Sequence, residues 1–381
     1  MRKIVYLCSM LLCCFDIMAQ VDLNDGTWFT SFDYSFSNTN FTWNDMTWRS
    51  MDGTWKAYPG NRVTHGKEQQ IYQVSNCVFD INNQCMTLVS EFDSQNKIPT
   101  HNYQLPSSMN GQYPNSLGYR DSLYYFSGEI DVDTCSYRYG YFEIRCKLPI
   151  HRGAFPAFWL WNSGHFYEEI DIFEFSWAFE DSINGGQNQN PHGAGNPYCF
   201  TTGIHFNNTS TNHNSYGRNY PMISDSLSNW HTFGCEWMPG YVKWYCDGNM
   251  VNEFYEKNHI PHRGLILKTN YAIDRYSLRD DNIENPPEWF DGGIMVIDYI
   301  KVWQHHWDCG TDVVIAQQSD LASFDHAVKK SVAITAAQQS VAIGSSDKKT
   351  FRITDSFEIT GPFQANSGGE MTVIIMDCPE N

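Results

Sequence analysis

The chain has 381 residues, enough for one large domain and a small appendage. Its formal net charge of −18 at pH 7 argues against nucleic acid as a partner, because nucleic-acid-binding proteins carry basic surfaces. Aromatic residues make up 15% of the chain, including 13 Trp and 22 Tyr. Flat rings with polar edges suit the binding of sugar rings, although β-sheets also favour aromatic residues for packing.

Residues 1–19 have the pattern of a secretory signal. Arg2 and Lys3 precede a short apolar run that ends near Cys14, and Ala19 offers a cleavage site. The run is too short to cross a bilayer. We therefore expect a secreted, periplasmic or cell-surface protein with no membrane-spanning segment. A lipid anchor at Cys13 is disfavoured, because the small residue expected just before a lipidated cysteine is missing.

The remaining chain divides into two regions of different composition. Residues 20–305 contain short alternating segments separated by turns, such as Tyr141–Leu148, and no long amphipathic helix, which predicts a nearly all-β domain. After Trp307 the aromatic residues thin out and short strand-like pieces recur at irregular spacing. This pattern predicts a small module of stacked β-strands over residues 310–381.

The cysteines give further constraints. Three of the 12 lie in residues 1–19, and the nine that follow leave at least one free thiol. No C-x-x-C pair occurs after residue 19, which disfavours a zinc site. Cys309 and Cys378 bracket the C-terminal module. We hypothesise that they form a disulfide, since an exported chain meets an oxidising compartment.

The residues most indicative of chemistry are Glu169-Ile170-Asp171-Ile172-Phe173-Glu174. Side chains alternate along a strand, so Glu169 and Asp171 share a face and Glu174 should point the other way. Glu174 rejoins them only if a β-bulge adds one residue between Asp171 and Glu174. Two carboxylates on one face can then cleave a glycosidic bond, and an Asp between them can keep their pKa values apart. The alternative is a surface strand with three solvated acids.

A second segment, Glu129-Ile130-Asp131-Val132-Asp133, opens in the same way. It alternates strictly and has no acid at the bulged position, so we interpret it as an ordinary strand with one polar face. His205, in the strand-like segment Gly203–Phe206, is either a cleft residue or a half-buried strand histidine. The acids predicted on a neighbouring strand favour the cleft.

Several segments between residues 21 and 305 together resemble glycoside hydrolase family 16. Glu169, Asp171 and Glu174 match the longer, bulged form of that family's motif, Glu-x-Asp-x-x-Glu. The flanking segments that resemble the family's strands are Tyr141–Arg145, Pro156–Trp159, Trp230–Trp237 and Asp298–Val302. The resemblance implies a concanavalin A-like β-jelly-roll sandwich with a cleft on its concave face. It also implies a retaining mechanism with Glu169 as nucleophile, Glu174 as general acid/base and Asp171 assisting.

The resemblance also suggests residues that bind substrate or metal. His205 matches a family position that faces the cleft. Trp161 and Trp177 are candidates to stack on sugar rings, with core packing as the alternative, and core packing is favoured for Trp159. No cofactor is required for the reaction. A structural calcium ion is implied on the convex side near the last strand, with Asp298 as a ligand.

The expected activity is endo-acting, retaining hydrolysis of a β-linked polysaccharide. Family members that act on β-1,3-glucan often carry Gly and Met where this chain has Glu168 and Phe173. This departure weakens a plain laminarinase assignment and leaves β-1,3/1,4-glucans and β-galactans open, including agar-like, carrageenan-like and host-glycan galactosides. The bulged motif argues against the plant-type transglycosylase branch.

Two alternatives come from other classes of protein. A jelly-roll cleft lined by aromatic residues can bind sugars without cleaving them, and a purely structural surface protein would bind no glycan.

The C-terminal segment resembles a small stacked-strand module found at the ends of exported Bacteroidetes proteins. The residues that carry this resemblance are Ser356–Thr372 and Cys378.

Overall fold

The structure is a computed structural model. It describes residues 21–36, 43–44, 49–50, 55–57, 68, 70–94, 125–132, 136–162, 168–176, 191–192, 195–206, 214–273, 293–324, 327–335 and 340–379. β-Strands dominate these ranges. The helical elements described are the five-residue helix α1, Gln318–Ala322, and the 3₁₀ turns Val74–Asn76 and Lys257–His259.

The strands of the first part of the chain are β1 Trp28–Ser35, β2 Trp43–Asn44, β3 Arg49–Ser50, β4 Trp55–Ala57, β5 Gln70–Tyr72, β6 Cys77–Asp80, β7 Cys85–Val89, β8 Glu91–Phe92, β9 Tyr125–Ser127, β10 Glu129–Val132, β11 Gly140–Lys147, β12 Ala154–Asn162 and β13 Glu168–Glu174. They are followed by β14 Thr201–Phe206, β15 Asn214–Asn219, β16 His231–Met238, β17 Tyr241–Cys246, β18 Asn249–Phe254, β19 Ile266–Ile273, β20 Ile294–His305, β21 Trp307–Ile315, β22 Val328–Ile334, β23 Val341–Ile343, β24 Lys348–Ile359, β25 Phe363–Ala365 and β26 Glu370–Ile375.

Two large antiparallel sheets form the main body. The first sheet has eight strands in the order β18-β17-β16-β11-β20-β7-β6, with β1 also paired to β20. The second sheet has nine, in the order β15-β14-β13-β12-β19-β10-β4-β3-β2. Each sheet turns one set of alternating side chains inward, which is the packing of a β-sandwich. The all-β fold class expected from the sequence is confirmed.

The core lies between these two sheets. Trp237 and Trp244 of the first sheet and Phe158 and Phe173 of the second belong to one buried apolar cluster. The rings of Phe173 and Phe233 lie 4.4 Å apart and join the layers directly. We call the face of the second sheet that points away from this core its outer face.

The C-terminal module has a different architecture. Strands β21-β22-β24-β26 form one parallel sheet and β23-β25 a second, and the module buries its own apolar core around Phe351 and Ile353. A disulfide joins Cys309 to Cys378, as hypothesised from the sequence. The small C-terminal β module is therefore confirmed as part of the fold class. The boundaries 20–305 and 310–381 stay predictions.

The module packs against the sandwich through a small apolar cluster. Trp28 and Tyr141 of the sandwich meet Val328 and Met376 of the module in this cluster. Arg352 adds a buried ion pair with Asp25, with 3.1 Å between Nη2 and Oδ2.

The remaining predictions from the sequence concern the cysteines, membrane-spanning segments and the export signal. Six described cysteines are buried and lie outside the Cys309–Cys378 disulfide, namely Cys77, Cys85, Cys146, Cys199, Cys235 and Cys246. Across the described ranges, no helix is long and apolar enough to cross a membrane. The predicted signal, residues 1–19, lies outside the described residues.

Candidate active site

The predicted β-bulge is present in β13. On one side, Trp159 of β12 is opposite Asp171 and Phe158 is opposite Phe173, so the register skips Ile172. On the other side, Asp171 pairs with Gly203 and Glu174 with Thr201, so two residues of β13 oppose one of β14. Ile172 is therefore the extra residue.

The bulge re-aims the side chains that follow it. Ile170, Ile172 and Phe173 all belong to the buried core, so two consecutive residues point inward. Glu169 and Asp171 alternate with Ile170 onto the outer face, and Glu174 returns to that face after Phe173. The three acids thus share one side of the second sheet.

The environment of Glu174 favours its protonated form. Burial and the negative charge of Asp171 raise the pKa of Glu174 to about 8, against the smaller opposing influences of Arg218 and His205, and Glu169 adds to the rise. A carboxylic acid with such a pKa holds its proton at neutral pH and can donate it to a leaving group. Asp171 and Glu169 supply the charge that keeps the proton there.

The structure places His205 beside these acids, where the sequence predicted a cleft residue. Its Nε2 lies 3.0 Å from Asp171 Oδ2 and 3.8 Å from Glu169 Oε1. Its Nδ1 is 3.0 Å from the hydroxyl oxygen of Ser215 on β15. The imidazole therefore links the edge strand to the carboxylate pair and limits the orientations that Asp171 can adopt.

Two tryptophans stand next to the acids on β12. Trp161 is opposite Glu169 and half-buried, whereas Trp159 is opposite Asp171 and only 7% exposed. The indole N–H of Trp159 donates to Asn270 Oδ1 at 2.7 Å. Trp161 is thus the one of this pair with surface left to meet a sugar. Trp177 lies outside the described residues.

A buried lysine near these tryptophans was not anticipated from the sequence. Lys268 Nζ lies 3.1 Å from Glu129 Oε1 and 2.7 Å from Asp131 Oδ1, and it is fully buried. It also lies 5.6 Å and 5.5 Å from the ring centroids of Trp159 and Trp161. A lysine inside an apolar strand such as Ile266–Ile273 is a signal for a buried acidic partner, because lysine is almost never fully buried unless it is paired.

Two further residues that interact with the acids were not predicted from the sequence. Arg218, on β15, is near enough to lower the pKa of Glu174 by its charge, and nothing in the polar segment around it indicated this. Trp244, on the first sheet, donates its indole N–H to the backbone carbonyl of Asp171 at 2.8 Å. Both contacts depend on how distant strands are arranged, which a local pattern does not reveal.

The two departures from the family pattern lie on the inward side of β13. Phe173 packs in the core against Phe233. Glu168 is buried, accepts the N–H of Arg263 at 3.2 Å and lies 3.5 Å from His262 Nδ1. Burial raises the pKa of Glu168 above its ordinary value. Neither side chain shares the outer face with the three acids.

Asp298 does not gather the donors that a calcium ion needs. Its carboxylate forms an ion pair with Arg145, whose guanidinium lies 4.6 Å from the ring of Trp230. Ca²⁺ takes six to eight oxygen ligands, and a guanidinium beside the carboxylate opposes a second cation. The described residues around Asp298 therefore do not fit a calcium site, and its role as a ligand stays a prediction.

Comparisons with known proteins agree with this geometry. Residues 97–272 match the sequence model of Glycosyl hydrolases family 16. Endo-1,3-1,4-beta-glycanase ExsH of Rhizobium meliloti is 27% identical over 168 residues, which cover 43% of this chain and 30% of that protein. Kappa-carrageenase of Pseudoalteromonas carrageenovora is 26% identical over 205 residues, or 48% of this chain and 47% of that protein. The chain thus spans less than half the length of these relatives.

A solved structure shows the same fold. A family 16 enzyme of Bacteroides ovatus, from its mixed-linkage glucan locus, superposes with a TM-score of 0.50 at 18% identity. The alignment covers 71% of this chain and 99% of that chain. The jelly-roll expectation is confirmed by such neighbours. By sequence over residues 97–272, this chain is similar to glycosyl hydrolases of family 16.

Proposed function

We propose that this protein is a secreted, retaining endo-β-glycanase that hydrolyses internal β-linkages of a polysaccharide. The observation that carries the proposal is the bulge at Ile172, which puts Glu169, Asp171 and Glu174 on one face of the second sheet. The names of the relatives support the same reaction class, since one is an endo-β-glycanase and another a carrageenase.

The mechanism starts from the raised pKa of Glu174, which keeps that carboxyl group protonated at neutral pH. Glu169 attacks the anomeric carbon and forms a covalent glycosyl-enzyme, while Glu174 gives its proton to the leaving oxygen. Glu174, now ionised, then takes a proton from the water that releases the sugar. Asp171, whose Oδ2 lies 3.0 Å from His205 Nε2, raises the pKa of Glu174 and so makes the return of the proton favourable.

The substrate class stays open between glucans and galactans. The similar proteins include a kappa-carrageenase and a structure from a mixed-linkage glucan locus. Phe173 belongs to the core and Glu168 is buried, so neither side chain is suited to select a sugar by contact. Trp161 offers the aromatic surface on which a pyranose ring of either class would stack. Export rests on the signal pattern of residues 1–19.

The test is a reducing-sugar assay on laminarin, mixed-linkage glucan, agarose, carrageenan and mucin glycans. We expect the wild-type chain to release reducing ends from at least one of them. Glu169→Gln should reduce turnover by at least about 10⁴-fold, because the nucleophile is lost, while fold and sugar binding persist. Glu253→Gln, which changes an exposed acid on β18, is the matched control and should leave turnover unchanged.

The same assay separates the rival functions. Binding of a glycan without release of reducing ends would identify a carbohydrate-binding protein. Undiminished hydrolysis by Glu169→Gln would refute its assigned role. No affinity for any glycan would favour a structural surface protein.

A further inference from the structure

One contact joins the acid-bearing strand to the opposite sheet. Trp244 of β17 donates its indole N–H to the backbone carbonyl oxygen of Asp171 at 2.8 Å. Trp244 has no exposed surface and belongs to the core cluster. The bond therefore crosses the interior of the sandwich and ends at the residue just before Ile172.

The bulge explains why such a bond is needed. In a regular antiparallel strand, backbone carbonyls lie in the plane of the sheet and bond to neighbouring strands. The carbonyl of Asp171 accepts a donor from the core, at the point where the extra residue interrupts the register. A buried carbonyl must find a donor, and indole is a donor only, which makes it suited to this position.

The position of Glu174 depends on where the bulge lies. With the extra residue at Ile172, both Ile172 and Phe173 point inward and Glu174 points outward. If the strand became regular, Glu174 would fall on the inward side, as strict alternation from Asp171 requires. Glu169 precedes the bulge and would keep its orientation.

We propose that Trp244 is a positioning residue that holds the bulge at Ile172 and thereby keeps Glu174 on the face of Glu169. It acts through the backbone of Asp171 and touches no reacting atom. This inference rests on the proposed glycanase function. It predicts that loss of the indole N–H impairs the acid/base step selectively and leaves the nucleophile in place.

The core provides a matched control. Trp237 of β16 is also fully buried, and its indole N–H donates to a backbone carbonyl, that of Pro261, at 2.9 Å. Replacing either tryptophan by Phe removes one core indole and one bond to a carbonyl. The two variants differ in that only Trp244 bonds to the acid-bearing strand.

The experiment compares Trp244→Phe with Trp237→Phe on two substrates. One is the polysaccharide that the wild-type protein cleaves, and the other is an aryl β-glycoside of the same sugar with an activated leaving group. We expect Trp244→Phe to lower kcat on the polysaccharide by about 10²-fold with little change in KM, because general acid catalysis contributes at least that much. Its kcat/KM on the aryl glycoside, which needs no proton, should fall by less than about threefold. Trp237→Phe should change both substrates equally.

A pH profile and hydrogen exchange complete the test. Because burial and the charge of Asp171 set the pKa of Glu174, a displaced Glu174 should move the basic limb of the Trp244→Phe profile away from its wild-type position. Amide exchange over residues 168–176 should quicken in Trp244→Phe and not in Trp237→Phe, a readout that needs no activity. Should Trp244→Phe not fold, 3-benzothienylalanine at position 244 keeps the bicyclic shape and removes only the N–H.

Equal losses on both substrates in Trp244→Phe, or the same selective loss in Trp237→Phe, would overturn the inference. Unchanged exchange over residues 168–176 would overturn it as well. A wild-type protein that cleaves no glycan would instead refute the proposed function, and the exchange measurement would still decide whether Trp244 holds the bulge.

Discussion

Strands β10 and β13 contain the same Glu-Ile-Asp opening and lie in the same sheet. Glu129 and Asp131 of β10 point to the outer face, as Glu169 and Asp171 of β13 do, because Ile130 and Ile170 point into the core. Two rows of residues paired across neighbouring strands run from β10 through β19 and β12 to β13. One row runs Asp131-Lys268-Trp159-Asp171, and the other runs Glu129-Asn270-Ala157-Glu174.

The two acid pairs differ in how their charge is balanced. In β10, the buried ammonium of Lys268 lies within 3.1 Å of both carboxylates. In β13, the bulge adds a third acid, and a proton on Glu174 relieves the excess charge. Carboxylates neutralised by a buried lysine are suited to a structural role, whereas a carboxyl group with a raised pKa is suited to proton transfer. The same short sequence thus meets two different charge environments according to its neighbours.

The largest expected effect that separates the two strands is on catalysis. Glu174→Ala should lower polysaccharide hydrolysis by about 10²–10⁴-fold, because the leaving group must then depart without a proton. On an aryl glycoside with an activated leaving group, kcat/KM should stay near the wild-type value, and azide, which attacks the glycosyl-enzyme without a general base, should restore kcat. Equal losses on both substrates would show that Glu174 is not the general acid.

The next effect concerns stability and belongs to β10. Lys268→Met should lower the free energy of unfolding by about 3–5 kcal/mol, because Glu129 and Asp131 lose the cation that balances them in a buried site. The free energy of unfolding is measured by urea denaturation. Lys268→Met is introduced into the inactive Glu169→Gln variant, so that turnover of substrate does not interfere. Lys301→Met is the control, since Lys301 pairs with a half-exposed Asp33 at 3.2 Å and should cost less than about 1 kcal/mol. Equal effects of the two lysine substitutions would argue that the cluster is not buried as described.

A smaller effect is the pH dependence of stability. The folded-state pKa of Glu174, about 8, lies above the unfolded value, so its favourable contribution is complete below pH 4.3 and is lost as pH rises to about 8. Glu174→Gln removes this loss. We expect the variant to gain about 1–3 kcal/mol over the wild type between pH 5 and pH 8, measured by urea denaturation.

Glu253→Gln serves as its control and should follow the wild-type pH profile, because that side chain is exposed. The same pKa predicts that wild-type kcat/KM on polysaccharide falls above about pH 8, as Glu174 loses its proton. A gain in stability of Glu174→Gln that is constant across pH would contradict the raised pKa.

The sequence predicted those features that depend on local pattern. Period-two alternation indicated the strands, and the spacing of Glu169, Asp171 and Glu174 required a bulge if the acids were to act together. The neighbours that set the chemistry are distant in the chain. Lys268 is 137 residues from Asp131 and Trp244 is 73 residues from Asp171, and these contacts arise only when the strands are in register.

The interpretation of β10 was correct for the backbone and incomplete for the side chains. Its described pairs are regular, as strict alternation predicted. The polar face of the strand is buried rather than solvated, with Glu129 fully covered and Asp131 5% exposed. Nothing in residues 129–133 reveals this, because Lys268, the buried cation that contacts both carboxylates, lies far along the chain on β19.

Double displacement requires that the bulge bring Glu169 and Glu174 close together. Retention requires carboxyl groups about 5–5.5 Å apart, whereas inversion requires about 6.5–9.5 Å. A ¹H NMR time course, recorded while the protein hydrolyses its polysaccharide substrate, measures the anomeric configuration of the first product directly. We predict that the β-anomer appears first and the α-anomer only by later mutarotation. Initial formation of the α-anomer would contradict the account.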